Sequence, residues 1–523
     1  MILRSAAVAA LSTVAFLAAP PVTAQAAGSF QTITRDGVSI TYQRVARTGT
    51  PVSGQGVTKS DFDGDGLDDI AAAARGGVIV RYSSRRWVDY FGTTTGGGAL
   101  TLGTALTSGD FNGDGFDDLV AGDPAEGVAG GLWIVPGSAQ GLNVAAIRHL
   151  NQDSAGVPGA SSAGDEFAGA LAAGDLNGDG RADLAIGLPG KDFGTAAQAG
   201  AVIVLLGTTS GVGTTGVKLL TQDTPAMPDN PESWERFGAA LAIGRYTADR
   251  YGDLAIASPG EGSRDGTKPS KGMVNLVRGS ADGLEVAAPV SSLYGSDNTV
   301  AYPGISMVRL GYGGLAFSDT DLDGGQDLII GAPEATVDGR TTAGAVAIVL
   351  GGRDVFSTSV YVSQNSPGVP GGAEAGDDFG ASVAGGDVTG DGYGDVVIGV
   401  PGEDTAVRNE GVLTLLRGSP NGVTGGISET VGQGAKGTPG PANPDDAFGH
   451  AVAVLDLDGR IGLDVLATAS GEMDGQTLSD SFGSVTTYAG GDPGFLQGQF
   501  RTTGNDVSLA GINTNIYGYV LGK

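Results

Sequence analysis

A short loop of alternating acidic residues recurs along the chain and could bind a metal ion. Its first copy, DFDGDGLDD, begins at Asp61 and places oxygen-bearing side chains at positions 1, 3, 5 and 9. Side chains at this spacing can converge on one centre, because Gly66 at position 6 permits the sharp turn that an EF-hand loop also needs. Hard oxygen ligands at this density suit calcium. Asp-Gly clusters also mark plain turns, so one copy alone would leave both interpretations open.

Four further copies keep this pattern of oxygen ligands. They begin at Asp110, Asp175, Asp319 and Asp387, and each has Gly at position 6. Position 7 varies, as expected if only its backbone carbonyl binds the ion. Because the pattern is periodic, we expect metal sites with about five Ca²⁺ ions in all. The predicted ligands, with position 7 acting through its carbonyl, are Asp61, Asp63, Asp65, Leu67, Asp69, Asp110, Asn112, Asp114, Phe116, Asp118, Asp175, Asn177, Asp179, Arg181, Asp183, Asp319, Asp321, Asp323, Gly325, Asp327, Asp387, Thr389, Asp391, Tyr393 and Asp395.

Two copies have lost the pattern. The fourth, RYTADRYGD, has Arg245 at position 1 and Arg250 in place of Gly, and the seventh, DLDGRIGLD, has Arg460 at position 5. A ligand and the turn glycine are lost together in both copies, as a metal site requires. We expect these loops to hold no ion and their guanidinium groups to pair inward, chiefly with Asp253 and Asp464.

Other segments recur at a fixed distance from the loop and must position it. An aromatic residue or Leu followed by Gly or Ala lies eight residues before the loop, as at Phe379-Gly380. An apolar strand ending in Gly-x-Pro or a similar step follows the loop, as at Pro401, and a second apolar run opened by Gly comes next. The order of these segments therefore predicts about four strands, joined by turns, in each repeat unit.

The seven loops start 49 to 74 residues apart, and a period near 70 with four strands per unit is typical of a radial repeat. The spacing predicts an all-β, seven-bladed β-propeller with calcium-binding loops. A linear β-solenoid is the structural alternative, but its repeats are usually shorter. Several independent domains are disfavoured, because one four-stranded unit would bury too little core.

The ordered set of motifs resembles the FG-GAP repeat family, known best from the N-terminal β-propellers of integrin α subunits. The resemblance rests on the Phe-Gly step, the acidic loop and the Gly-x-Pro step, and it extends from about Phe30 to the end of the chain. It implies a seven-bladed propeller with calcium loops on the lower rim and ligand binding on the upper face.

The first repeat departs from the family pattern. It has Ser53-Gly54 in place of the Phe-Gly step, and its Gly-x-Pro step is missing around Ala74-Arg75. We therefore expect an irregular first blade. The ring should close by mixing the two termini, and the candidates are SITYQRV from Ser39 and the segment around Phe500.

The N-terminal segment has the features of a secretion signal. Arg4 precedes an apolar core from Ala6 to Ala19, and Ala24-Gln25-Ala26 fits a cleavage site. We expect a signal peptide at 1–26 and the propeller at 27–523. The apolar run is too short for a membrane span, and the sequence predicts a secreted, extracellular protein with no transmembrane anchor.

Composition limits the partners. The chain has 94 Gly among 523 residues, no Cys and a net charge of −29. The glycine content fits turn-dense β-structure, and the negative field disfavours nucleic acid as a partner. We expect a monomer that is stabilised by calcium rather than by disulfides.

The sequence predicts no catalytic and no organic cofactor-binding residues. Only two histidines occur, His149, expected at the surface, and His450, expected to pack near a strand start, and no HExxH or GxSxG motif is present. Paired carboxylates are plentiful, but the calcium pattern accounts for the periodic ones. An extracellular polysaccharide hydrolase or lyase that uses loop carboxylates stays open as the alternative function.

The segments before each Phe-Gly step vary most, and Trp234 stands out among them. It is expected to pack at a blade junction, whereas an exposed Trp would suit stacking on a sugar or a peptide. The favoured function is an extracellular binding or adhesion scaffold for protein or glycan ligands. A structural surface or matrix component is a third possibility, because fold alone does not decide function.

Overall fold

The computed structural model shows an all-β chain. It describes residues 31–46, 59–74, 77–85, 87–93, 102–262, 270–287, 290–295, 304–352, 356, 359–423, 428–435, 438, 440–471, 484–491, 498–503 and 516–520. Within these ranges there is no α-helix, and one 3-10 turn spans Val144–Ala146. No helix in the described part could cross a membrane. The predicted signal peptide, Ser53-Gly54 and Arg75 lie outside the described residues.

Seven antiparallel sheets form the blades of a β-propeller, as predicted. In blades 2 to 7, four strands pair in chain order. Blade 2 has the strands Leu106–Gly109, Asp118–Asp123, Gly131–Val135 and Arg148–Leu150. Blade 3 has Ala170–Gly174, Asp183–Leu188, Ala201–Leu205 and Lys218–Leu220. Blade 4 has Ala240–Gly244, Asp253–Ser258, Met273–Val277 and Ser291–Tyr294. Blade 5 has the strands Leu315–Ser318, Asp327–Ala332, Ala345–Val349 and Ser359–Val362. Blade 6 has Ser382–Gly386, Asp395–Val400, Val412–Leu416 and Ser428–Gly432. Blade 7 has Phe448–Leu455, Asp464–Ala469, Ser484–Tyr488 and Gly498–Thr503. Three short ribbons pair Gly207–Thr208 with Gly211–Val212, Gly279–Ser280 with Gly283–Leu284, and Ile305–Ser306 with Thr336–Val337.

Blade 1 is irregular and closes the ring with both termini. Its sheet has six strands, in the spatial order Gln31–Arg35, Val38–Ala46, Trp87–Thr93, Gly77–Arg81, Ile70–Ala74 and Ile516–Val520. The C-terminal strand takes the place that the strand before the acidic loop occupies in the other blades. The prediction that the termini mix is confirmed, and SITYQRV lies in this sheet. The segment around Phe500 was the wrong closing strand, because it pairs with Ser484–Tyr488 as the fourth strand of blade 7.

The hydrophobic core lies between neighbouring blades. Phe379 is fully buried and shares one cluster with Ile348 of blade 5 and Ile398 of blade 6. Burying a side chain of this size stabilises the fold by about 1.5–3 kcal/mol. Gly344 bridges to Phe379, and a Cβ there would lie 2.2 Å from the Phe379 carbonyl oxygen. This contact explains why the Gly that opens the third strand of one repeat and the Phe of the next repeat recur together at corresponding positions along the chain.

The strand directions place all acidic loops on one rim. In blades 2 to 7 the first strand leads into the loop and the second strand leads away from it. We call this side the lower rim. The segments before the first strand and after the second strand form the opposite side, the upper face. A central channel of about 1100 Å³ is lined largely by small residues of the inner strands, including Gly109, Ala170, Gly174 and Ala240.

Candidate metal centres and upper face

The carboxylate at position 1 closes each of four intact loops. Asp387 Oδ1 accepts hydrogen bonds from the backbone of Gly390 at 2.7 Å and Asp391 at 3.1 Å, and its Oδ2 accepts one from Gly392 at 2.9 Å. Asp61, Asp110 and Asp175 make the same three bonds in their own loops. The glycines at positions 4 and 6 have positive φ, 75° at Gly390 and 96° at Gly392, which only Gly adopts readily. The loop is thus wound around its first acid.

The first and fifth loops each bring three carboxylates together. One oxygen from each of Asp61, Asp63 and Asp65 lies within 4.8 Å of the others, and the same holds for Asp319, Asp321 and Asp323. Burial raises the pKa of Asp63 to about 6, and the charge of Asp65 adds to this effect although Arg85 opposes it. Such a group requires protons or a cation to offset its repulsion.

Several oxygens in these clusters are buried without a hydrogen-bond partner. They are Asp63 Oδ1, Asp65 Oδ2 and Asp319 Oδ1. A hard cation takes carboxylate oxygens as ligands, so these atoms fit calcium. The neighbouring Asp63 Oδ2 is already paired with Arg85 Nε at 2.6 Å. In the other intact loops, position 3 is Asn or Thr, which leaves the acids at positions 1, 5 and 9 to supply the charge.

The Asp at position 9 performs the same structural role in all seven blades. Its Oδ1 accepts a hydrogen bond from the backbone N–H that follows the third strand, at 2.8 to 3.3 Å. In six blades its Oδ2 also accepts from the N–H at position 2 or 3 of its own loop. Burial raises the pKa of Asp118 and Asp464 to about 7 and that of Asp183, Asp327 and Asp395 to about 6. These carboxylates hold the blade together, and their participation in calcium binding stays a prediction.

A ring of backbone hydrogen bonds joins neighbouring loops around the lower rim. The N–H at position 8 of each loop donates to the carbonyl at position 1 of the preceding loop, at 2.7 to 3.0 Å. The last of these bonds runs from Asp68 to Asp456 and links blade 1 to blade 7. Sequence reasoning missed this ring because a backbone donor leaves no trace in residue type.

The two degenerate loops differ from the prediction. Arg245 is exposed and makes no ion pair with Asp253, because that carboxylate accepts bonds from Thr247 and Gly279. Arg460 is 72% exposed and lies 3.4 Å from Asp458, not beside Asp464. The predicted inward pairing was wrong since backbone N–H groups already satisfy both position-9 acids.

Among the described residues, three aromatic side chains are exposed on the upper face. Trp234 is 56% exposed, Tyr312 52% and Tyr294 45%. The backbone N–H of Trp234 donates to Ala197 of blade 3, so the residue does lie at a blade junction, but the prediction that its side chain packs there was wrong. Arg309 lies 3.8 Å from the centre of the Tyr312 ring, a cation–π contact that holds both side chains at the surface.

Charged residues surround the upper mouth of the channel. Glu166 pairs with Arg236 at 2.6 Å, and Glu334 pairs with Arg309 at 2.7 Å. Asp378 also lines the channel, and burial followed by the charge of Glu334 raises its pKa to about 6.

The two histidines have different environments. His149 is buried, contacts Glu126 at 2.7 Å and packs against the Trp133 ring at 4.8 Å, so the expected surface position was wrong. His450 lies near the start of its strand, as expected, but it is exposed to the channel, so the expectation that it packs there was wrong.

Comparisons with known proteins agree with this architecture. The FG-GAP repeat model matches residues 102–135, 167–205 and 379–416, which lie in blades 2, 3 and 6. Phosphatidylinositol-glycan-specific phospholipase D of Rattus norvegicus is 29% identical over 204 residues, which are 38% of this chain and 22% of that protein. Integrin alpha-5 of Xenopus laevis is 30% identical over 243 residues, 45% of this chain and 20% of the integrin. Integrin alpha-PS2 of Drosophila melanogaster is 35% identical over 234 residues, 43% of this chain and 14% of the integrin. The chain therefore spans about a fifth or less of the length of these relatives.

Proposed function

We propose that this chain, which contains FG-GAP repeats in a seven-bladed β-propeller similar to that of integrin α subunits, is a secreted calcium-binding scaffold that binds an extracellular ligand through its upper face. The ligand is a protein or a glycan. The observation that carries this proposal is the set of exposed aromatic side chains on the upper face, with Trp234 more than half accessible.

The chemistry of this surface suits a binding site. Tyr and Trp supply large contact areas at low entropic cost, and such residues dominate the energetics of interfaces. Arg309 lies next to Tyr312 and can donate to a carboxylate or carbonyl of a ligand. The overall charge of −29 disfavours acidic partners elsewhere on the surface, so the arginines at the channel mouth would set the orientation of a ligand.

Calcium contributes stability in this proposal. The unpartnered oxygens of Asp63, Asp65 and Asp319 and the acid at position 1 of each intact loop support binding of about five ions. Because the loops are linked around the rim, an ion in one blade also fixes the carbonyl that the next blade uses. The ions would thus keep the blades in register while the opposite face binds the ligand. The apolar N-terminal segment supports export to a calcium-rich medium.

A binding array tests this proposal. The protein lacking 1–26 is applied to extracellular matrix proteins and to glycans, and Trp234→Ala and Tyr312→Ala are compared with the parent. We expect each substitution to weaken binding at least tenfold, since both remove exposed aromatic contacts. The matched control is Ile461→Ala on the lower rim, a residue that is 80% exposed, and it should bind like the parent. Binding that survives both upper-face substitutions, or that Ile461→Ala abolishes, contradicts the proposal.

Enzymatic activity is the second candidate, and Asp378 is the observation that favours it. A carboxyl group with a pKa near 6 in a channel can serve as a general acid. Glu166 and Glu334 at the same mouth are each paired with an arginine, which leaves Asp378 as the candidate acid. Release of soluble sugars from polysaccharides, lost in Asp378→Asn, would support this candidate over the scaffold.

A further inference from the structure

A buried polar cluster recurs on the upper side of the blades, away from the acidic loops. In blade 3 it consists of Gln152, Asp165 and Lys191, all at most 9% exposed. Lys191 Nζ donates to Asp165 Oδ2 at 2.7 Å and to the carbonyl of Ala160 at 2.9 Å. With its amide oriented to suit these neighbours, Gln152 accepts from Lys191 at 3.2 Å and donates to Asp165 at 2.8 Å. One ammonium group thus satisfies an amide oxygen and a carboxylate.

Blade 4 has the same cluster without the ammonium group. Each residue occurs 70 positions later, as Gln222, Glu235 and Glu261, so a carboxylate replaces the lysine. All three side chains are buried, at 2%, 2% and 7% exposure. Gln222 Nε2 donates to Glu261 Oε2 at 3.2 Å, and Glu235 Oε2 accepts from the backbone of Glu232 at 2.7 Å.

Two oxygens in this cluster have no partner. They are Gln222 Oε1 and Glu235 Oε1. Asp229 and Glu232 add negative charge nearby. A single proton between the two glutamates would offset one charge but would leave the amide oxygen of Gln222 unsatisfied. A cation held by the two carboxylates would offset both charges and could also take the amide oxygen of Gln222 as a ligand.

We propose that Gln222, Glu235 and Glu261 form a second kind of cation site, separate from the acidic loops, in the place that the Lys191 ammonium group takes in blade 3. Its ligands are hard oxygens, and it would take a hard cation of the calcium class. The cluster recurs in blade 6 as Gln364, Asp377 and Glu403, where Gln364 Oε1 is again buried without a partner. The buried ligand Glu235 follows the exposed Trp234 in the chain, so an ion at this site would fix the backbone that presents Trp234.

Exchange of the residue at the lysine position tests this inference. Glu261→Lys supplies the ammonium group of blade 3 and should lower bound calcium by one ion per molecule, measured by equilibrium dialysis and elemental analysis. Asp282→Lys changes the charge equally at an exposed position and should leave the count unchanged. Glu261→Gln, a milder change, should weaken the same site at least tenfold. If Glu261→Lys folds and binds as much calcium as the parent, the inference is wrong and the two glutamates share a proton instead.

Terbium luminescence gives an independent measurement of the same site. Tb³⁺ replaces calcium at oxygen sites, and Trp234 precedes the ligand Glu235. Excitation of tryptophan should produce Tb³⁺ emission that falls in Trp234→Phe and in Glu261→Lys by the same amount. Emission that Trp234→Phe leaves unchanged would place no ion near Glu235 and would overturn the proposal.

Discussion

The loops of blade 6 and blade 4 have the same residues at five of nine positions, yet only the blade 6 loop keeps the predicted pattern of calcium ligands. DVTGDGYGD and RYTADRYGD share Thr, Asp, Tyr, Gly and Asp at positions 3, 5, 7, 8 and 9. At position 5, Asp391 accepts from Tyr393 at 3.0 Å and Asp249 accepts from Tyr251 at 2.7 Å. They differ at position 1, where Asp387 accepts three backbone N–H groups and the arginine of blade 4 is exposed.

The comparison separates the part of the loop that folds the blade from the part that is predicted to bind metal. Position 9 is an acid in both, and Asp395 and Asp253 both accept from the glycine after the third strand. The backbone links to neighbouring loops also persist in the degenerate blade, through the Arg245 carbonyl. Position 9 therefore belongs to the fold, whereas the blade 4 loop departs from the predicted metal-binding pattern at positions 1 and 6.

Removal of calcium should have the largest effect, because it acts on the intact loops of five blades at once. Each site stabilises the folded state by about 2.7 kcal/mol when calcium exceeds the dissociation constant a hundredfold. A chelator should lower the melting temperature of the parent markedly, in a calorimetric scan, and should expose the intact loops to protease. The loops of blades 4 and 7 should be cleaved at the same rate with and without calcium. A melting curve that chelation leaves unchanged contradicts the metal assignment.

Asp253→Ala should destabilise the protein more than any other single substitution in the blade 4 loop. It leaves the buried N–H groups of Thr247 and Gly279 without acceptors, at a cost of about 3 kcal/mol or more. Urea unfolding should show the same loss with calcium and with chelator, since no ion is involved. Asp249→Ala, which removes one bond at an exposed position, is the control and should cost about 1 kcal/mol. If the loss of stability in Asp253→Ala disappears when chelator is added, then blade 4 binds calcium.

The stability of the protein should change with pH in opposite directions in its calcium-stripped and calcium-loaded forms. The position-9 acids have folded pKa values near 6 to 7, above the unfolded value of about 3.9, so protonation favours the folded state. Their contribution to stability is present at low pH and is lost as pH rises through 6 to 7. Calcium-stripped protein should therefore gain stability between pH 7.5 and 5.5.

Calcium-loaded protein should lose stability over the same range, because protons compete with the ion for the carboxylates. Melting temperatures at pH 7.5, 6.5 and 5.5 measure both slopes, and the gain from calcium should shrink as pH falls. If the increase in melting temperature that calcium produces becomes larger toward pH 5.5, this account of the loop acids is contradicted.

Arg460→Ala should have the smallest effect. The guanidinium is 72% exposed and 3.4 Å from Asp458, and such surface pairs contribute at most about 0.5–1 kcal/mol. We expect a change within about 0.5 kcal/mol in urea unfolding. A loss of several kcal/mol would restore the inward pairing that the sequence had suggested.

The sequence determined most of the architecture because its signals are local and repeated. Phe379 and Gly344 recur at corresponding positions of the repeats because one contact joins them. The loop acids recur at a constant spacing because they belong to one turn. The closing strand, Ile516–Val520, could not be assigned, because its pairing with blade 1 depends on contacts across the whole chain. The burial of His149 was missed for the same reason, as neighbouring strands bring Glu126 and Trp133 to it.

The matched pair Asp391→Asn and Asp249→Asn tests most directly whether the loops divide into metal-binding and plain ones. Both substitutions act at position 5, on exposed acids that accept one backbone bond. Calcium per molecule and melting temperature are measured for each variant, with calcium and with chelator. The account predicts that Asp391→Asn loses one ion and is destabilised only with calcium, while Asp249→Asn keeps the parent's count and its calcium-dependent gain. Equal calcium counts in the two variants, whether both fall or neither does, would contradict it.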